Sequence, residues 1–327
     1  MSISLGPGPN VVVLTSLAVV KELLVKHADC TSDRRIPPLL GLAFSTKAPL
    51  YNKLRQDIDQ YKRFMKEVVK DHKRNQVSND GENGDGIRKN SFEDVTDRYL
   101  QQMQHGSIVA VEEEDIWRVM FDLMGAGTET TSETLLWGIL YLSLYPDVQK
   151  QIHSEIDEMT LQDTDYVIHY DQRKSLPYTQ AAILEVLRCA CVAPLSLPRV
   201  TTRDLTVMGY SIPKGVEIWV NEWAINRDKN IWSDSNEFNP GRFLDDSGRI
   251  DPKRKESIIA FGEGRRMCLG RCLAEHMLFM FFTNLLRWFS FRLPEDGRTR
   301  PNVNRGNFGL TYSPPLFDVI ITPRDID

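Results

Sequence analysis

The strongest constraint on the fold is one long helical signal, from about Glu112 to Tyr145. Glu112, Glu113, Glu114 and Asp115 stand at its start, where acidic groups favour the helix dipole. Pro146 ends it and opens the next helix, DVQKQIHSEIDEM. Inside it, Gly125, Ala126 and Gly127 interrupt the run. Each interior glycine costs about 1 kcal/mol relative to alanine, and small side chains there would open space for a ligand.

Other helical patterns surround it. Leu54, Ile58, Tyr61, Phe64, Met65, Val68 and Val69 share one face of a charged helix from Tyr51 to Arg74. Further helices are expected over SLAVVKELLVKHAD, from Tyr178 to Val192, and from about Gly270 to Trp288. RNQVSNDGENGDGIRKNS reads as a polar loop, and Arg227 to Ala260 as an irregular stretch. Strands are short: NVVVLTS, pieces of PRVTTRDLTVMGYSIPKGVEIWV around a PKG turn, and a tail hairpin in NFGLTYSPPLFDVIITP. Strands and helices do not alternate, which argues against a parallel α/β sheet. The expected class is mainly α with small β-sheets.

A net charge of −5 argues against a nucleic-acid binder. The five cysteines, Cys30, Cys189, Cys191, Cys268 and Cys272, are few and odd in number, which fits a reducing compartment. The apolar run Met277–Leu286 is too short for a membrane span, which needs about 20 apolar residues. The start of the chain lacks the basic segment of a secretory signal. The chain as written is expected to be soluble or at most peripheral.

The segment FGEGRRMCLG, Phe261 to Gly270, places one thiol in a glycine-rich cationic turn before an apolar helix. Four readings compete. A phosphate would suit glycines and arginines at a helix start, but the P-loop Lys-Ser/Thr pair is absent. Zinc could use Cys268, Cys272 and His276, but no fourth ligand is evident. Cys268 could be a buried structural thiol. The fourth reading is an axial thiolate for haem iron. Amides and the positive helix end would favour the thiolate form of Cys268. Gly262, Gly264 and Gly270 allow a sharp turn against a flat cofactor. Phe261 could cover the proximal face and Arg266 could pair with a propionate.

The spacing Phe261-x-x-Gly264-x-Arg266-x-Cys268-x-Gly270 resembles the haem-binding signature of the cytochrome P450 monooxygenases. Three further motifs follow the family's pattern. AGTETT, Ala126 to Thr131, is similar to the central-helix motif. The resemblance implies that Thr130 stabilises the oxygen species being reduced and that Glu129 helps deliver protons with water. Glu185 and Arg188 of EVLR, with Arg242 of FNPGRF, resemble the family's buried charge network, a structural role. Gly241 is a mild departure from the usual polar residue there. Arg199 in APLSLPRV matches a basic residue near a propionate. Ala126, Leu195, Phe308, Leu310 and Thr311 match regions that contact substrate.

The resemblance implies haem b, a small apolar substrate such as a steroid, fatty acid or xenobiotic, and O2. It also implies electrons from a flavoprotein reductase or a small iron–sulfur protein. Lys253, Arg254, Lys255, Arg265 and Arg271 are candidates for the face that meets that partner. Family likeness points to the endoplasmic reticulum membrane, without an anchor in this chain. One P450 domain over 1–327 is expected, with a strand/helix fragment at 1–47 and the catalytic region at 48–327. The family's W-x-x-x-R helix does not occur between them: GLAFSTK runs directly into APLYNKLRQD. The P450 fold is therefore expected to be incomplete, with helices missing near residues 47–50. The rival expectation is a truncated, non-catalytic homologue with impaired haem binding.

Overall fold

A computed structural model describes residues 2–4, 10–34, 52–79, 94–104, 115–160, 166–295 and 300–324. The chain forms two compact units, Ile36–Thr128 and Met1–Arg35 with Glu129–Asp327. The junction near 47–50, Glu112–Glu114 and most of the expected polar loop lie outside the described residues.

The smaller unit contains α2 (Asn52–Asn79), α3 (Val95–Gln104) and the first part of α4 (Ile116–Leu144), the first short helix of the chain belonging to the larger unit. Met65 and Val69 of α2 pack with Leu100 of α3 and with Ile116 and Met120 of α4. α2 continues five residues past the expected end at Arg74, because no proline or glycine stops it before Asn79. The α3 helix was not expected from the sequence. Asp94 starts it, its Oδ1 accepting from the amides of Thr96 (2.7 Å) and Asp97 (3.2 Å). His72 is held between Asp97 (2.9 Å) and Asp94 (3.3 Å), so each ring nitrogen already faces a carboxylate.

The larger unit begins with β1 (Ser2–Ser4), β2 (Asn10–Leu14) and α1 (Leu17–Lys21), which runs into a π-helical turn at Glu22–Lys26. It continues through the rest of α4, then α5 (Pro146–Thr160) and α6 (Pro177–Ala190). Strands β3 (Arg199–Val200), β4 (Leu205–Val207), β5 (Tyr210–Ile212) and β6 (Glu217–Val220) follow. Next come α7 (Glu222–Ile225), α8 (Pro252–Lys255), α9 (Arg271–Trp288) and β7 (Phe289–Arg292). A hairpin of β8 (Asn307–Phe308) and β9 (Tyr312–Ser313) precedes β10 (Ile320–Pro323).

The largest sheet has the order β1-β2-β6-β3. The alternation argument excluded a parallel α/β architecture, and most of the chain is indeed helical. This sheet nevertheless contains one parallel pair, β2 on β6, in register from Val11↔Glu217 to Leu14↔Val220. The pair joins segments far apart in sequence, which local alternation does not reveal. Its apolar face packs with Leu23 and Leu24 of the π-turn and with Ile225 and Ile259. The main helical core joins Trp137, Leu140 and Tyr141 of α4 to Ile152 and Ile156 of α5. Val186 of α6 and Phe279, Phe282 and Leu286 of α9 complete it. Gly138 permits the close approach of α4 and α9, because a Cβ there would lie 2.8 Å from the Phe282 ring.

Candidate functional site

The Phe261–Gly270 loop is fixed by backbone geometry. Gly262 and Gly264 have φ of +69° and +73°, a region that costs an L-residue roughly 1–2 kcal/mol. Gly264 is also seated against the π-turn, where a Cβ would overlap the Leu24 carbonyl. A single 3₁₀ turn at Gly264–Arg266 follows, closed by the Met267 amide donating to the Gly264 carbonyl (3.0 Å). The Cys268 amide donates to the Phe261 carbonyl (2.7 Å), which folds the loop back on itself. Cys268 is then presented as an exposed free thiol two residues before Gly270, the N-cap of α9. A Cβ on Gly270 would touch the Cys268 sulfur at 4.0 Å, so the bare glycine leaves that side of the thiol open. The Phe261 ring lies against the Arg271 guanidinium at 5.6 Å.

Beside this loop lies a cationic cluster. Arg199 is only 2% exposed. Its Nη2 donates to the Glu263 carbonyl (2.6 Å), while Nε and Nη1 are buried without a hydrogen-bond partner. Burial pushes its pKa down to about 10. Arg34 adds to the effect, Glu222 opposes it, and Arg266 adds again. Arg266 is tethered through Nε to the Ser32 carbonyl (2.8 Å). Arg34 reaches the Pro198 carbonyl (3.5 Å), and its pKa is lowered by burial and by Arg266. Three guanidiniums lie close enough for Arg34 and Arg266 to depress the pKa of Arg199, and Arg199 is buried with two of its three nitrogens unpartnered, a donor set suited to an anion. A carboxylate-bearing ligand would satisfy the orphaned Arg199 nitrogens. The donor set therefore fits the propionates of a haem. Arg34 was missed in the sequence reading; its signal was the paired basic residues of SDRR.

Glu222 is buried beside this cluster, at the first position of α7, with Oε2 unpartnered. Burial pushes its pKa up to about 8 against the lowering effects of Ser196 and Arg199, and Glu263 raises it further.

The structure brings the EVLR and FNPGRF residues together. Arg188 forks onto Glu185, with Nε to Oε2 at 2.7 Å and Nη2 to Oε1 at 2.8 Å. Arg242 Nε donates to Oε1 (3.0 Å), and the Asn239 amide adds a further bond at 2.8 Å. Arg188 also donates to the carbonyls of Asn226, Ser235 and Glu237. Both ends of the pair are fully buried. Complete hydrogen bonding is the condition under which such burial is tolerated.

On the central helix, Gly125 and Gly127 have open space where a Cβ would stand, and Ala126 is exposed. Further along, the Thr311 hydroxyl donates to Glu129 Oε1 (2.7 Å). The Thr130 carbonyl accepts from the Thr134 hydroxyl (2.8 Å). Leu195 is exposed in the loop after α6; Phe308 (74% exposed) and Leu310 (80%) project from the β8–β9 hairpin. Of the five basic residues proposed as a partner face, two are engaged within the chain. Arg254 donates to the Ile231 carbonyl (2.7 Å) and Arg271 pairs with Glu275 (3.0 Å).

Among the described residues, no helix is long and apolar enough to cross a membrane. The cytochrome P450 family model matches residues 35–321. Human cytochrome P450 2U1 is 38% identical over 278 residues, which is 84% of this chain and 48% of that protein. Rabbit cytochrome P450 2J1 is 39% identical over 234 residues, 71% of this chain and 45% of the relative. The chain thus spans about half the length of the curated relatives it matches. A zebrafish cytochrome P450 solved with abiraterone shares the fold, with a TM-score of 0.75 at 24% identity over 99% of this chain and 96% of that one. A family match across most of the sequence, a shared fold and a thiol loop set beside an anion-seeking arginine cluster lead to one conclusion: the chain belongs to the cytochrome P450 family.

Proposed function

We propose that this chain is the haem-binding part of a haem-thiolate monooxygenase, with Cys268 as the ligand to iron. Its overall reaction is RH + O2 + 2e⁻ + 2H⁺ → ROH + H2O, with RH a small apolar molecule of the steroid, fatty-acid or xenobiotic class. The observation that carries the reading is the exposed Cys268 thiol before α9, beside a buried Arg199 that lacks partners for two nitrogens. When bound, the haem supplies one-electron and O2 chemistry, and a thiolate ligand favours O–O cleavage.

The chain's own residues have distinct tasks. Arg199, Arg266 and Arg34 hold the propionates. Gly264 and Gly270 shape the thiol loop, and Phe261, with Arg271 against its ring, would cover the proximal face of the haem. Glu129 is the carboxylate that relays protons with water, with Thr130 beside it in sequence. Leu195, Phe308 and Leu310 provide apolar contacts for substrate. Electrons come from a flavoprotein reductase or an iron–sulfur protein, and the site of action is the cytosolic face of the endoplasmic reticulum. Lys253, Lys255 and Arg265 are the members of the basic set proposed to meet that partner.

The test is the carbon monoxide difference spectrum of the reduced, haem-supplied chain. A strongly red-shifted Soret band supports the assignment, and Cys268→Ser abolishes it. A band that survives that substitution overturns the ligand assignment. The second reading is a homologue that holds haem poorly and does not turn over. The absence of the W-x-x-x-R pattern where GLAFSTK runs into APLYNKLRQD favours it, and it predicts no haem uptake in the same experiment.

A further inference from the structure

Positions 129, 133 and 137 follow the i, i+4 row of α4, so they lie on one face of the helix. Two of the three are bonded to the β8–β9 hairpin. Glu129 Oε1 accepts from the Thr311 hydroxyl (2.7 Å), and Trp137 Nε1 donates to the Tyr312 carbonyl (3.0 Å). Glu133 stands between them with Oε2 buried and unpartnered, and its pKa is raised by burial and then by Glu129.

The hairpin is held in place independently of Glu129. Tyr312 is buried; its amide donates to the Val192 carbonyl (2.8 Å) and its hydroxyl accepts from the Gly306 amide (2.9 Å). Its ring packs 5.4 Å from Trp137 and 4.5 Å from Phe308. At the tip, the Gly309 amide donates to the Thr311 carbonyl (2.8 Å). The backbone of Thr311 is therefore bonded at its own carbonyl and flanked by a buried anchor. Its hydroxyl comes from a fixed support, whereas Glu129 is a flexible side chain on an exposed stretch of helix.

We infer that Thr311 is a positioning residue for Glu129: its hydroxyl orients the carboxylate that the proposed function uses for proton delivery. This rests on the haem-thiolate reading for its catalytic consequence, but not for the contact itself. A carboxylate one helical turn from Glu133 is repelled when both are ionised, and a donor from outside the helix offsets that repulsion and selects one rotamer. Without the hydroxyl, Glu129 is free to turn to water. Protons then arrive unguided, and reducing equivalents leave as hydrogen peroxide, two electrons and two protons per O2, in place of oxygenated product. A bond of about 1 kcal/mol corresponds to roughly a five-fold effect.

Two measurements test this. In the haem-free full chain, the infrared difference between the parent and Glu129→Gln isolates the Glu129 carboxylate band. Thr311→Val is expected to shift that band and Thr311→Ser to leave it in place. In the haem-loaded enzyme with its reductase, Thr311→Val is expected to raise the peroxide share of consumed electrons about five-fold, with kcat affected more than KM. Thr311→Ser is expected to restore the parent ratio. An unmoved infrared band, an unchanged peroxide share, or a serine variant as impaired as the valine variant overturns the assignment. A chain that takes up no haem instead sinks the monooxygenase reading, and the infrared band alone then decides whether Thr311 orients Glu129.

Discussion

Glu185 and Arg188, three residues apart on α6, form a two-point ion pair in complete burial, and Arg242 arrives from a distant turn to bond the same carboxylate. The carbonyls of Asn226, Ser233, Ser235 and Glu237 and the Asn239 amide also bond to the two arginines or their acid, so no partner can leave without stranding the others. Glu185→Ala leaves two guanidiniums uncompensated. It is expected to cost about 3–5 kcal/mol, the range for breaking a buried pair. Urea denaturation checks this, and a loss below about 1 kcal/mol would contradict the network's structural role.

Arg199 offers the opposite case, a buried charge with spare donors in the haem-free chain. Arg199→Met removes one bond to the Glu263 carbonyl but also removes a poorly compensated cation. Stability without haem is expected to change by no more than about 1 kcal/mol, while haem affinity falls at least about ten-fold. Haem titration of parent and variant, with denaturation of the haem-free forms, separates the two effects.

Glu222 makes stability depend on pH. Its carboxyl is raised from 4.5 to about 8 by burial, so the folded state binds the proton more tightly than the unfolded chain. Its contribution is fully present below pH 4.5 and is lost as pH rises through about 8. Glu222→Gln is expected to match the parent near pH 5 and to exceed it in stability at pH 8. Thermal melts across that range read the difference; parallel curves for the two proteins would refute it.

His153 acts with the opposite slope. Its pKa is lowered from 6.5 to about 4 by burial, with Arg324 adding and Asp157 and the Phe289 backbone opposing. The folded state therefore favours neutral imidazole. The stability from this site is present above pH 6.5 and declines as pH falls toward 4. His153→Gln is expected to flatten the acid limb of the stability profile, measured by urea midpoints between those values.

Gly264 and Gly262 differ in a way that only contacts reveal. Both have positive φ, but a Cβ at Gly264 would overlap the Leu24 carbonyl, whereas at Gly262 the nearest atom is 3.8 Å away. Gly262→Ala is expected to cost about 1–2 kcal/mol from backbone strain alone. Gly264→Ala must also displace the π-turn, and its cost is expected to be at least about twice as large. Denaturation midpoints of the two variants give the ratio.

These sites divide by how local their determinants are. Phe261 to Gly270, Glu185 with Arg188, and Ala126 to Thr131 are short patterns whose spacing survives intact in one dimension. Arg242 was legible only because its own motif, FNPGRF, is local too. Arg34, Glu222 and the bond from Thr311 to Glu129 have no spacing to read, since tertiary packing alone brings their partners together. The α3 helix escaped because it is short, follows a polar segment and takes its buried face from Met120 and Met65. The β2–β6 pairing escaped for the same reason as Arg34, being a union of remote segments.

That union constrains the order of events during synthesis. Strand β2 is synthesised long before its partner, which ends at Val220, and the Leu24 carbonyl finds its seat only at Gly264. At about 5–20 residues per second, the apolar face of Val12, Leu14, Leu23 and Leu24 waits roughly 10–50 s for cover. The segment of β2 and the π-turn is therefore a late-closing clasp and a natural client for chaperones. A release that comes too early, before residue 264 is made, leaves that clasp open and the thiol loop unbuilt.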